Sequence, residues 1–299
     1  MSKPINLVLS GGGARGIAHI GIIEVLEEHG YVIKAVTGTS MGALVAGVFA
    51  GQAMEAYKQW LINADIREVI RMLDFSLRLP GLIKGEKIMR KINQMLAIKS
   101  IEDLPIPYKA VATDLNHNQE ITFSSGDLIL AIRASISIPT VFTPVLTQDK
   151  MLVDGGLVNN IPINKLPENG FPIVAVCANA DIDLTPEQQK IMQGDPQAED
   201  EYLKKLRKIQ AYIRKYLNFT DKPFVKNADD LPGYTDIIDR SLHLMIAQNS
   251  NRIIHQYPPD LLINIPHKLA GTLDFLKAEK IYKVGRWTAQ KALENFKIN

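Results

Sequence analysis

The first fifty residues constrain the fold more than any other part of the chain. They read strand, glycine loop, helix, strand, tight turn, helix. Residues 5–9 are a short apolar run that ends in Ser10 and three glycines. From 14 to 29 apolar residues recur at helical spacing, at Ile17, Ile20, Ile23 and Leu26, and Gly30 follows where a helix-ending glycine belongs. Residues 34–37 form a second strand, followed by Gly38-Thr39-Ser40-Met41-Gly42 and an apolar helix over 43–50. Strands separated by helices cannot pair as hairpins. They lie parallel, with the helices covering the sheet. The expected fold class is therefore α/β.

The rest of the chain extends this pattern. Residues 53–74 are mostly helical, and 76–87 form a loop punctuated by Pro80, Gly81 and Gly85. A helix is expected over 86–96, strands over 108–113 and 119–123 joined by the polar turn DLNHN, and a short helix over 127–135. A strand over 151–153 runs into Asp154-Gly155-Gly156, and another is expected over 173–178. Then the texture changes. Residues 181–230 are charged and hold one long amphipathic pattern, 199–217, with Leu203, Leu206, Ile209 and Ile213 on one side and lysines and arginines on the other. A helix over 235–255, a strand over 261–265 and a last helix from 274 complete the chain. No repeat or low-complexity linker divides it, so 1–299 reads as a single domain with a charged, partly helical insertion at 181–230.

Composition narrows the function. The formal charge is +2, from 34 basic and 32 acidic residues, which does not suit a nucleic-acid binder. The single cysteine, Cys177, lies in an apolar run. It allows no internal disulfide and no cysteine-based metal cluster. No stretch approaches the ~20 apolar residues needed to cross a bilayer, and the start of the chain lacks a signal-peptide pattern. A cytoplasmic location is expected, with peripheral membrane contact open to it. The basic face of 199–217 suits such contact, but a helix packed on the core with its lysines in solvent is the favoured reading.

Three motifs carry chemistry. Gly11-Gly12-Gly13-Ala14-Arg15-Gly16 lies between a strand and a helix. It satisfies G-x-G-x-x-G, but the second strand ends in Val36-Thr37-Gly38-Thr39-Ser40, without the acid that would hold a ribose. No Lys-Ser/Thr follows the glycines, which removes the P-loop. What remains is a tight turn, or a loop whose bare N–H groups and following helix cradle an anion, including a transient oxyanion, with Arg15 adding charge. Gly38 to Gly42 is G-x-S-x-G in strand–turn–helix context, the setting of a nucleophile elbow at Ser40. Asp154 at a strand end, followed by Gly155 and Gly156, is either a turn aspartate or a carboxylate facing a site. A serine nucleophile needs a proton acceptor and an oxyanion cradle. None of the six histidines, His19, His29, His117, His243, His255 and His267, sits in a comparable motif, and each reads as structural or exposed.

Taken together these motifs resemble the patatin-like phospholipases, in particular their small bacterial members. The resemblance also covers Ala112-Thr113-Asp114-Leu115, the run RASISIPTVFTPV at 133–145 and Asn159-Asn160-Ile161-Pro162; it does not reach 181–230. It implies a three-layer α/β/α sandwich with a mainly parallel central sheet. It further implies a Ser40–Asp154 dyad without histidine, and an oxyanion hole made by the N–H groups of Gly11, Gly12 and Gly13 with Arg15 nearby. The implied activity is acyl-ester hydrolysis of phospholipids, lysophospholipids or simpler esters, with no metal or organic cofactor. A non-catalytic lipid-binding or regulatory protein on the same fold is the alternative. At an ordinary carboxyl pKa of ~3.9, Asp154 would be a weak base for neutral pH; burial or direct contact has to compensate.

Overall fold

A computed structural model describes residues 2–74, 76, 83–193, 204, 234–294 and 296. Its strands are β1 (Lys3–Leu9), β2 (Tyr31–Thr39), β3 (Tyr108–Asp114), β4 (Gln119–Phe123), β5 (Val145–Leu146), β6 (Met151–Asp154), β7 (Ile173–Ala180) and β8 (Leu261–Pro266). Its helices are α1 (Ala18–Glu28), α2 (Met41–Ala50), α3 (Met54–Asn63), α4 (Ile66–Met72), α5 (Glu86–Met95), α6 (Leu128–Ser135), α7 (Pro186–Gln193), α8 (Tyr234–Gln256) and α9 (Ala278–Glu294).

All eight strands join one sheet in the order β5-β6-β3-β2-β1-β7-β8, with β4 also on β3. From β3 to β8 the pairing is parallel, and β4, β5 and β6 add antiparallel pairs at one end. Alternate residues of the central strands enter different cores. Ile5, Leu7, Leu9, Val174 and Val176 pack with α1, α2 and α9. Val8, Ala175 and Cys177 face the other way, against Ile161, Ile163 and Ile253 of α8. A strand buried on both faces reads as a continuous apolar run, which is why β1 and β7 are legible without alternation. The expected three-layer α/β/α architecture is what forms.

One detail of register positions the site. β2 pairs with β3 through Thr39↔Val111, and β6 pairs with β3 through Ala112↔Asp154. β4 holds the opposite edge of β3 over the same residues. β6 therefore takes over from β2 along one edge, and the ends of the two strands, at Thr39 and Asp154, occupy successive places beside β3.

Several expected elements differ in detail. The helix expected over 14–29 opens as a 3₁₀ turn, Gly13–Ile17, before α1 begins, because Gly13 at φ 54° brings the chain out of the loop in a tighter coil. The helical stretch 53–74 divides into α3 and α4 at Asp65, whose side chain caps α4 by accepting the Glu68 N–H at 2.8 Å. The two-residue β5 and the helix α7 were not anticipated. α7 docks on the core through buried Gln188, whose amide reaches Thr288 Oγ1 of α9 at 3.1 Å. The amphipathic pattern 199–217 lies outside the described residues except for Lys204. No helix among the described residues is long and apolar enough to cross a membrane.

Candidate active site

Ser40 is the last residue before α2, and its backbone is strained: φ 56°, ψ −128°, a region costly for a residue with a Cβ. Neighbouring groups hold it there. Its N–H donates to Ser135 Oγ at 2.8 Å, and that hydroxyl in turn donates to Val111 O at 2.6 Å. Its carbonyl accepts from Leu44 N–H at 3.1 Å, and Thr39 Oγ1 donates to Asn159 O at 2.7 Å. Gly38 and Gly42 face each other so closely that a Cβ on Gly38 would stand 2.5 Å from the Gly42 carbonyl; one on Gly42 would run into Leu9 O. Both glycines of the motif are therefore needed for the turn to close.

Serine at a helix start normally caps it, its oxygen accepting an N–H from the first turn. Ser40 makes no such bond. Its hydroxyl instead acts on Asp154, where it is one of two donors that lower the acid's pKa. The second donor is Gly156 N–H, at 2.7 Å from Oδ1. The serine–aspartate contact does not close into a hydrogen bond of full geometry, and buried Oδ2 is left with a lone pair available. The two side chains nonetheless stand close enough for the Ser40 hydroxyl to act on the Asp154 carboxylate. Asp154 is only 6% exposed. Burial outweighs both donors and pushes its pKa from 3.8 up to about 6.

The glycine loop runs along the C-terminal ends of the parallel strands, where open α/β sheets bind ligands. Its three amides differ. Gly11 N–H is already bonded to Asn160 O at 3.1 Å, whereas Gly12 and Gly13 N–H meet no acceptor among the described residues. Gly11 owes its identity to crowding: a Cβ there would strike Asn160 Oδ1 and lie 2.9 Å from Ser40 Cβ. Arg15 is a clamp. Its Nε donates to Ala178 O at 3.0 Å and its Nη1 to Ala270 O at 2.6 Å, while Nη2 reaches Asn179 Oδ1. Its reach toward an oxyanion is through the loop it fixes more than through direct contact. A Cβ on Gly155 would collide with Val111 O, so the Asp154 turn also needs its first glycine; Gly156 serves by its N–H.

Two cavities meet at Ser40. One of about 910 Å³ is bounded by the glycine loop, Asp154, Asn160 and one side of α8. The other, of about 380 Å³, opens under α2 between α3, α4 and the 272–276 segment, and is almost wholly apolar. Among the described residues no group of three or more His, Cys, Asp or Glu gathers as metal ligands would. His19 is fully buried. Its Nε2–H donates to Ser10 O at 2.9 Å and burial pushes its pKa down to about 4, so it is a neutral prop beneath the loop. His243 and His267, which the sequence reads as structural or exposed, stand with ring centroids 4.9 Å apart on the wall of the larger cavity. Ser135 and Asn160 were also passed over as site residues. Both lie in segments quoted for the resemblance, but their contacts with the elbow and the loop are long-range and leave no local signal.

A family model described as patatin-like phospholipase matches residues 7–166, more than half of the chain and all three motifs. This chain belongs to the patatin-like phospholipase family. Among its relatives is an uncharacterized NTE family protein of Mycobacterium tuberculosis, 31% identical over 343 residues that cover 100% of this chain and 93% of the relative. Another is the lysophospholipase NTE1 of Scheffersomyces stipitis, 29% identical over 308 residues, which are 100% of this chain and 18% of that longer protein. Among solved structures it is similar to VipD from Legionella pneumophila at 14% identity and a TM-score of 0.46, over 97% of this chain and 67% of that one. Within the family match lie the glycine loop, the Ser40 elbow and Asp154.

Proposed function

We propose that this patatin-like protein is a lipid acyl hydrolase of lysophospholipase type, with Ser40 as nucleophile and Asp154 as its only acid–base partner. One observation carries the reading: a strained serine at a helix start leaves its helix uncapped and turns its hydroxyl to a buried carboxylate whose pKa is about 6. Burial supplies the basicity that an ordinary aspartate lacks, without a histidine.

Ser40 Oγ attacks the ester carbonyl while its proton passes to Asp154. The tetrahedral oxyanion accepts hydrogen bonds from Gly12 and Gly13 N–H, with Gly11 and Arg15 holding the loop in place, and the positive end of α2 favours the charge. As the intermediate collapses, the leaving alcohol takes the proton from Asp154 and an acyl-Ser40 ester remains. Water then attacks this ester, giving its proton to Asp154. Collapse releases the fatty acid and returns that proton to Ser40. The apolar cavity suits the acyl chain, and the larger cavity, whose walls carry more polar surface, suits the alcohol and head group. The lysophospholipase name of the fungal relative points to a single-chain phospholipid as the first substrate to try.

The test is release of fatty acid from lysophosphatidylcholine, with a fluorophosphonate probe as second readout. Wild type should turn over and be labelled at Ser40, and Ser40→Ala should do neither. Full activity in Ser40→Ala would refute the proposal. Probe-labelling without turnover of any ester would instead favour a lipid-binding role.

A further inference from the structure

The smaller cavity has a readable axis. Met41, next to Ser40, is touched by Tyr57, whose hydroxyl donates to the Met41 sulfur at 3.7 Å. The Tyr57 and Trp60 rings follow at 5.9 Å between centroids. Trp60 Nε1–H then donates to Glu68 Oε1 at 3.2 Å. Met41, Tyr57, Trp60 and Glu68 all line the cavity, so the series of contacts leads from the residue beside the nucleophile to the α3–α4 wall.

The α3–α4 wall carries a carboxylate. Glu68 is one of two acids, with Asp274, in a mostly apolar lining, and is partly buried at 24% exposure of its side chain. It is held by the indole N–H and by Arg71 Nη1 at 3.4 Å. Its helix α4 is only seven residues long, and the Trp60–Glu68 bond ties it across to α3. An alkyl chain advancing along the cavity gains by burying methylenes until it reaches this pair. There it would meet the indole ring and would have to strip water from a charged oxygen, which costs more than a further methylene returns.

We infer that Trp60 and Glu68, latched together between α3 and α4, are the end-stop of the acyl-chain site and select the length of chain the enzyme accepts. This inference rests on the reading of Ser40 as nucleophile. Trp60 and Glu68 act on specificity and touch neither the dyad nor the glycine loop.

The experiment measures kcat/KM for a series of p-nitrophenyl esters from two to eighteen carbons. In wild type each added methylene should raise kcat/KM about fourfold up to a break, beyond which the rise stops. Trp60→Ala removes the indole, and the break should move to longer chains by several carbons. Val69→Trp adds bulk to the same wall from α4 and should move the break to shorter chains, so the inference stays testable should Trp60→Ala fold poorly. Acetyl and butyryl esters, too short to reach Trp60, should react at wild-type rates in both variants and report that the site is intact. A break at the wild-type length in both variants, or a loss equal at every chain length, would overturn the end-stop. Ser40→Ala is assayed on the same series. If it keeps activity, the nucleophile reading fails, and that outcome is distinct from a Ser40-dependent activity whose break does not move.

Discussion

Replacing Asp154 by asparagine should make the protein more stable while removing its activity, and the gain should depend on pH in a defined way. The side chain keeps its shape and its amide oxygen can still accept from Gly156 N–H, but it carries no charge to bury. In the folded protein the carboxyl has a pKa of about 6, against 3.8 for an ordinary aspartate. A folded-state pKa above the unfolded one means that folding disfavours the ionised form. The cost is absent below pH 3.8, grows as pH rises from there, and is complete above about pH 6. A gap of about two pH units, at about 1.4 kcal/mol each, gives about 3 kcal/mol at neutral pH, which for a chain of this length is roughly 5 °C in melting temperature. The assay is urea or thermal unfolding of wild type and Asp154→Asn from pH 3.5 to 8. The difference between them should rise across pH 4–6 and then level off. Any constant offset reflects packing of the new amide and does not matter. A difference that stays flat from pH 4 to 7, or that favours wild type increasingly with pH, would refute the claim that Asp154 is held as a desolvated base.

Other predictions follow from the same geometry. With Asp154 as the base, kcat/KM should fall about tenfold per pH unit below about pH 6 and level off above it; a profile set by a group titrating near 4 would contradict the burial argument. Ser135→Ala removes the acceptor for Ser40 N–H, leaving a buried donor unmet at a cost of about 1–3 kcal/mol in stability. It should also lower kcat on the order of tenfold as the elbow relaxes, with KM little changed; unaltered kcat would show that the strain at Ser40 is held elsewhere. Gly12→Ala would bring a Cβ to 2.8 Å from Ala178 Cβ and push the loop aside. Loss of oxyanion donors should then cost ~10²–10³ in kcat with the far-ultraviolet circular dichroism unchanged.

The sequence alone determined the α/β class, the parallel pairing of β1 and β2, and the glycine positions at both strand-to-helix turns. These are local properties: the apolar runs, the helical spacing and the tight turns each lie within a dozen residues. It also singled out Ser40 and Asp154 as candidates, but nothing local says that positions 114 residues apart meet. That follows from β6 replacing β2 along the edge of β3, a register between distant strands. Tertiary structure alone also decided three other matters. The Asp154 pKa is set by burial, which has no value until the layers close over the carboxylate. Gly11 N–H is taken by Asn160 O, and Arg15 by the C-terminal end of β7 and by Ala270 O, so the loop's donors are not equivalent. The apolar cavity that runs from Met41 to the Trp60–Glu68 pair is space between α2, α3 and α4, and empty space between elements leaves no periodicity in any one of them.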